Sequence, residues 1–197
     1  MKKATIILAL LLMIIPGKTF SQDQKEQNKM PVKPALLVID IQNAFLPMIP
    51  DKEKEVGLAY INALIDLFRK NGYPVIRIYH KSEEYGVLPD TDPFEYPTSV
   101  HIRPDDPKII KTYGDGFNKT HLDDVIKKSG SNTLFLCGLS AVGCVLATRI
   151  GAENHDYTAF FVKDAIMSHN SDYTNDIEDI FDAVSYDVVK LILENSH

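Results

Sequence analysis

Short apolar runs alternate with helix-forming segments along this chain, and that alternation leaves few folds open. Pro34 introduces Ala35-Leu-Leu-Val-Ile-Asp40, a run with no polar face before its last residue. A strand of that kind is buried on both faces, as in a parallel sheet. Over residues 53–70 apolar side chains recur at Val56, Ile61, Leu64, Ile65, Leu67 and Phe68. That is the spacing of an amphipathic helix, and Asn71-Gly72 stops it. Residues 74–80 read as a second strand, 133–137 as a third and 157–162 as a fourth. Helices are predicted over 121–128, 142–154 and 172–181, the first ended by Ser129-Gly130. Ala183-Val184 reads as a short last strand, and Ser185 caps a final helix to Glu194. Strands alternating with helices predict an α/β fold, a parallel sheet covered by helices on both faces. In such sheets the active site lies beyond the carboxyl ends of the strands. Residues 81–110 hold Pro89, Pro93, Pro97, Pro104 and Pro107 and read as a long connection over one sheet end. Loops of that length are more often functional than decorative.

The first 21 residues have another character. Met1-Lys2-Lys3 is a basic start, residues 4–16 are almost wholly apolar, and Thr19-Phe-Ser21 offers small residues before Gln22. This is the pattern of a secretory signal peptide. The apolar run is shorter than the ~20 residues of a membrane span. The expected organisation is a signal peptide over 1–21, a polar tether over 22–32 and one globular domain over 33–197. The expected location is periplasmic or secreted, with no membrane attachment after cleavage. A net charge of −6 with no basic stripe argues against a nucleic-acid partner.

Three polar positions stand out against this frame. Asp40 ends the first strand, in Asp40-Ile-Gln-Asn-Ala-Phe45. Lys111 opens Lys111-Thr-Tyr-Gly-Asp-Gly-Phe117, ahead of the helix over 121–128. Cys144 closes Gly138-Leu-Ser-Ala-Val-Gly-Cys144, where the third strand gives way to a helix. A thiol at a helix start meets outward-pointing N–H groups, and the helix dipole is expected to lower its pKa. Such a thiolate is a nucleophile for acyl transfer. Cys137 and Cys144 are the only cysteines. In an exported chain they are also a candidate disulfide or redox pair, although they lack C-x-x-C spacing.

Taken in order, the three segments resemble the isochorismatase-like cysteine hydrolases, a superfamily that includes nicotinamidases, N-carbamoylsarcosine amidases and ureidoacrylate amidohydrolases. The shared pattern is Asp-x-Gln-x-x-Phe, a Lys shortly before a Phe, and a Gly six residues before Cys-Val. It spans roughly residues 33–194. The resemblance implies a three-layer α/β/α sandwich with a mainly parallel, six-stranded sheet. It implies a catalytic triad of Asp40, Lys111 and Cys144, and a cis peptide at Leu139–Ser140. The backbone N–H groups of Ser140 and Cys144 then form an oxyanion hole. A pocket of Phe45, His80, Tyr113, Phe117 and Ala141 receives a small-molecule substrate, and a homo-oligomer is expected.

The chain departs from the nicotinamidase branch. It has no Trp. No His follows His80 at metal-ligand spacing, so no metal and no cofactor are expected. Ala141-Val142 stands where relatives carry Thr-Asp. The cysteine favours C–N amide chemistry over the vinyl ether hydrolysis of true isochorismatases. The function expected is an exported cysteine amidohydrolase, acting on a small amide or a carbamoyl or ureido compound through a thioester on Cys144. The alternatives are a vinyl ether hydrolase of the isochorismatase type and a catalytically idle homologue that carries a ligand.

Overall fold

The computed structural model describes residues 31–196. The expected signal peptide, and the tether as far as Met30, lie outside the described residues. Five strands form one sheet: β1 (Pro34–Ile39), β2 (Val75–His80), β3 (Lys108–Lys111), β4 (Thr133–Leu139) and β5 (Thr158–Met167). Every pairing is parallel, and the spatial order is β3-β2-β1-β4-β5. Five helices cover it: α1 (Asp51–Lys70), α2 (Leu122–Ser129), α3 (Leu146–Asn154), α4 (Ser171–Ile180) and α5 (Tyr186–Glu194).

The alternation along each strand decides which helices lie on which face. Leu36, Val38, Phe135 and Cys137 point to one face, where they pack with Ile61, Leu64 and Phe68 of α1 and Val189 and Leu193 of α5. Leu37, Ile39, Leu134 and Leu136 point to the other, against Leu122 and Ile126 of α2, Ala152 of α3 and Ile177 of α4. Two buried layers on opposite faces of one sheet are the expected three-layer sandwich.

Two expectations are corrected. The sheet has five strands, not six. Ala183-Val184 contributes only an isolated parallel bridge, Val162 to Val184. Asp182 turns with φ 48° just before it, and Ser185 already accepts from Val188 N–H as the α5 cap. That leaves too few residues for a strand. Conversely, β3 lies inside what reads as a loop, because Lys-Ile-Ile-Lys is short and charged at both ends. The remainder of the 81–110 connection is fastened down. Phe94 and Tyr96 stack on Tyr79 at 5.1 and 4.2 Å between centroids. Among the described residues no helix is long and apolar enough to cross a membrane.

Candidate active site

The strand order reverses direction at β1, between β2 on one side and β4 on the other. The crevice of a doubly wound sheet opens beyond the carboxyl ends of strands at such a point. The chain places a reactive group at each neighbouring end. Lys111 is the last residue of β3 and His80 the last of β2. Asp40 follows β1, and Cys144 lies within the wide turn Ala141–Val145 that follows β4. Residues distant in sequence therefore meet along one edge.

Local backbone geometry makes this possible. Gly138 has φ +120°, and a Cβ there would lie 2.0 Å from the Ile39 carbonyl oxygen. Only glycine lets β4 pass β1 this closely. Asp40 itself is left-handed, at φ 52°, a conformation that non-glycine residues hold chiefly where surroundings over-determine it. Here they do. Asp40 N–H donates to Ile78 O at 2.8 Å. Two residues on, the Gln42 amide clasps the end of β2, donating to His80 O at 3.1 Å and accepting from His80 N–H at 2.7 Å. The Leu139–Ser140 peptide is cis, at the position the resemblance implies.

Lys111 Nζ donates to Asp40 Oδ2 at 2.7 Å, with both side chains buried. The same ammonium lies 3.1 Å from His80 Nδ1. Because an ammonium has only donors, Nδ1 accepts. Burial, then the Lys111 charge, push the His80 pKa below its ordinary value, so the ring is neutral with its proton on Nε2. Ligand atoms of Asp40, His80 and Cys144 all lie within 4.8 Å of one another. His80, which has no metal-spaced histidine in the sequence, thus has two potential co-ligands in space. The Lys111 ammonium already occupies Asp40 Oδ2 and His80 Nδ1, which is where a cation bridging those two groups would bind.

The thiol corrects one expectation outright. Its pKa is not lowered but pushed up to about 12, first by burial and then by the Asp40 carboxylate, against the opposing pull of Lys111. A helix-end dipole is worth at most ~2 kcal/mol, too little to offset burial beside an anion. Cys144 rests as a thiol next to a carboxylate able to take its proton. Cys137 is no partner for it: both cysteines are free. Cys137 points into the α1 side of the sheet, where burial raises its pKa too, while Cys144 packs against the opposite face.

A cavity of about 260 Å³ opens on these groups. Asp40, His80, Ser140 and Cys144 form its polar side, and Phe45, Met48, Ile49 and Leu139 its apolar side. Tyr85 and His169 complete the lining. Phe45 and His80, expected in the pocket, are there. Tyr113, Phe117 and Ala141 do not line it. Phe117 is buried and stacks on His155 at 4.6 Å. Ala141 is fully buried in the same core layer. Tyr113 is exposed, its hydroxyl accepting from Lys119 Nζ at 2.8 Å. Met48, Ile49, Tyr85 and His169 were not legible in the sequence, because all four sit on connections rather than periodic elements.

Comparison with known proteins agrees with this architecture. The isochorismatase domain model matches residues 34–186. The chain is 32% identical over 138 residues to the uncharacterized isochorismatase family protein YddQ of Bacillus subtilis, covering 66% of this chain and 76% of that one. It is 32% identical over 118 residues to streptothricin hydrolase of Streptomyces noursei, covering 58% of this chain and 46% of that enzyme. N-carbamoylsarcosine amidase from Thermoplasma acidophilum superposes with a TM-score of 0.67 at 24% identity, over 78% of this chain and 95% of that one. The chain belongs to the isochorismatase family of hydrolases.

Proposed function

We propose that this protein is a cysteine amidohydrolase that cleaves the C–N bond of a small amide through a thioester on Cys144. One observation carries the reading: a buried Lys111–Asp40 pair at 2.7 Å stands beside the Cys144 thiol, and Asp40 and Cys144 both line a cavity. Asp40 Oδ1 has no partner among the described residues. It is the oxygen left to receive the thiol proton while Lys111 holds Oδ2.

The steps follow from that arrangement. Cys144 S–H gives its proton to Asp40 as sulfur attacks the carbonyl carbon. The carbonyl electrons move to oxygen, and the N–H groups of Ser140 and Cys144 receive that oxyanion, each donor contributing about 3 kcal/mol. Protonated Asp40 returns the proton to the leaving nitrogen. The C–N bond breaks, ammonia or an amine departs and a thioester remains. Water then attacks the thioester and gives a proton to Asp40. The C–S bond breaks, the sulfur regains that proton and the carboxylic acid leaves. Lys111 keeps Asp40 oriented and balances its charge through both halves. The Lys2-Lys3 start and the apolar run behind it support export of this hydrolase, with the mature chain beginning near Gln22.

Ammonia release across small amides, ureas and carbamoyl compounds tests the reading, with Cys144→Ala as control. Turnover should fall at least ~100-fold in that variant. Intact mass during turnover should show an acyl adduct on the wild-type chain. Hydrolysis unaffected by Cys144→Ala overturns the thioester route.

A further inference from the structure

We infer that the substrate is a neutral primary amide or urea whose remaining part is apolar, and that carboxylate-bearing amides are excluded. The inference rests on the amidohydrolase reading above and narrows its substrate. Three independent features of the cavity lead to it.

The first is charge. Among the described residues no lysine or arginine lines the cavity. The nearest ammonium, Lys111, lies behind Asp40 and His80 and is committed to both. His80 is held neutral by burial and by that same ammonium. A substrate carboxylate would therefore approach Asp40, whose charge Lys111 already balances, with the His169 ring on the lining but no guanidinium or free ammonium to pair with. A carboxylate taken out of water without a charge partner is strongly disfavoured.

The second is the pair of unpartnered atoms. Asp40 Oδ1 and Ser140 Oγ are buried atoms of two cavity-lining residues and have no hydrogen-bond partner among the described residues. Buried polar atoms are rarely left so. A substrate N–H₂ satisfies Asp40 Oδ1 with one hydrogen and reaches Ser140 Oγ with the other. A tertiary amide has no N–H to offer, and a carboxylate offers only acceptors.

The third is the wall. Phe45, Ile49 and Leu139 are buried or half-buried apolar side chains, and Met48 and Tyr85 stand exposed at the rim. They demand apolar surface of the part that does not react.

The test compares kcat/KM within matched pairs of primary amides. The pairs are 4-oxopentanamide against succinamate, and 4-nitrobenzamide against 4-carbamoylbenzoate, each pair nearly equal in shape. Benzamide and isobutyramide extend the neutral set. The neutral member should be preferred by about 100-fold or more, as expected for an unpaired anion beside Asp40. Met48→Arg, at an exposed rim position, should narrow that preference by about tenfold by giving the carboxylate a partner. Carboxylates hydrolysed as well as their neutral mates, in a reaction that Cys144→Ala abolishes, would overturn the substrate class and leave the thioester reading standing. No ammonia from any member would overturn both.

Discussion

Lys111 Nζ and Asp40 Oδ2 form a 2.7 Å ion pair whose lysine side chain is wholly buried. It joins the end of β3 to the end of β1 across β2. A pair so placed is strongly coupled to folding, because either charge left alone is stranded in low dielectric. Lys111→Met should lose about 3–5 kcal/mol in urea unfolding. The double variant Asp40→Asn, Lys111→Met removes both charges and should recover most of that loss, while remaining inactive. Equal destabilisation in single and double variants would show that the pair is not what couples the site to the fold.

The raised thiol pKa changes what Asp40→Asn should do. The carboxylate holds the Cys144 proton on, while Lys111 favours the thiolate. Removing the carboxylate charge leaves only the ammonium, so the thiol pKa should fall. A fall of one unit raises the thiolate fraction about tenfold while the thiol still predominates. Iodoacetamide should then label Cys144 faster in Asp40→Asn at pH 8, even though amide turnover is gone. In the wild type the labelling rate should still be climbing above pH 9. A wild-type plateau near neutral pH, or slower labelling in the variant, would contradict this arrangement.

What the sequence made legible, and what it did not, divides along physical lines. β1 and β4 are continuous apolar runs because both faces are covered, and no other element reads that way. α1 was legible because one face meets the sheet and the other water. β3 was not, since a four-residue edge strand buries one isoleucine and ends in a lysine that belongs to the site. The positions of Asp40, Lys111 and Cys144 were legible as a motif, since each closes a strand or follows one. The far side of the cavity was not. His169 follows β5, held there by Glu53, which accepts from Ser168 N–H at 3.0 Å and from Thr174 at 2.7 Å. No local spacing announces a contact between residues so distant in the chain. Phe117, expected on the cavity from its place in a motif, instead packs on His155 and Tyr157 and is absent from the lining.

Gly138 offers a sharper structural test than any polar residue. A Cβ at this position meets the β1 backbone, Ile39 O at 2.0 Å and Ile39 N at 2.8 Å, where no flexible side chain can yield. The positive φ adds strain for any L side chain. Gly138→Ala should therefore lose about 3 kcal/mol or more. Surviving folded protein should be inactive, since separating β4 from β1 draws Cys144 away from Asp40. Circular-dichroism melts and ammonia release would measure the two effects. Near wild-type stability in this variant would mean that the strands are less tightly apposed.

Metal dependence turns on where the Lys111 ammonium sits. Asp40, His80 and Cys144 bring three ligand atoms within 4.8 Å, closer than the spacing of histidines along the chain leads one to expect. Yet the positive charge this cluster calls for is already supplied. Lys111 donates to Asp40 Oδ2 and approaches His80 Nδ1, so a divalent ion between them would have to displace an ammonium or accept its repulsion. In the route proposed above the nucleophile is a thiol whose proton goes to Asp40, and that route asks for no metal-bound water. Dialysis against EDTA should leave the rate on any amide substrate unchanged, and added zinc should not raise it. A large loss on chelation, restored by Zn²⁺, Mn²⁺ or Fe²⁺, would show that the ion displaces Lys111 and that the site works as a metal centre.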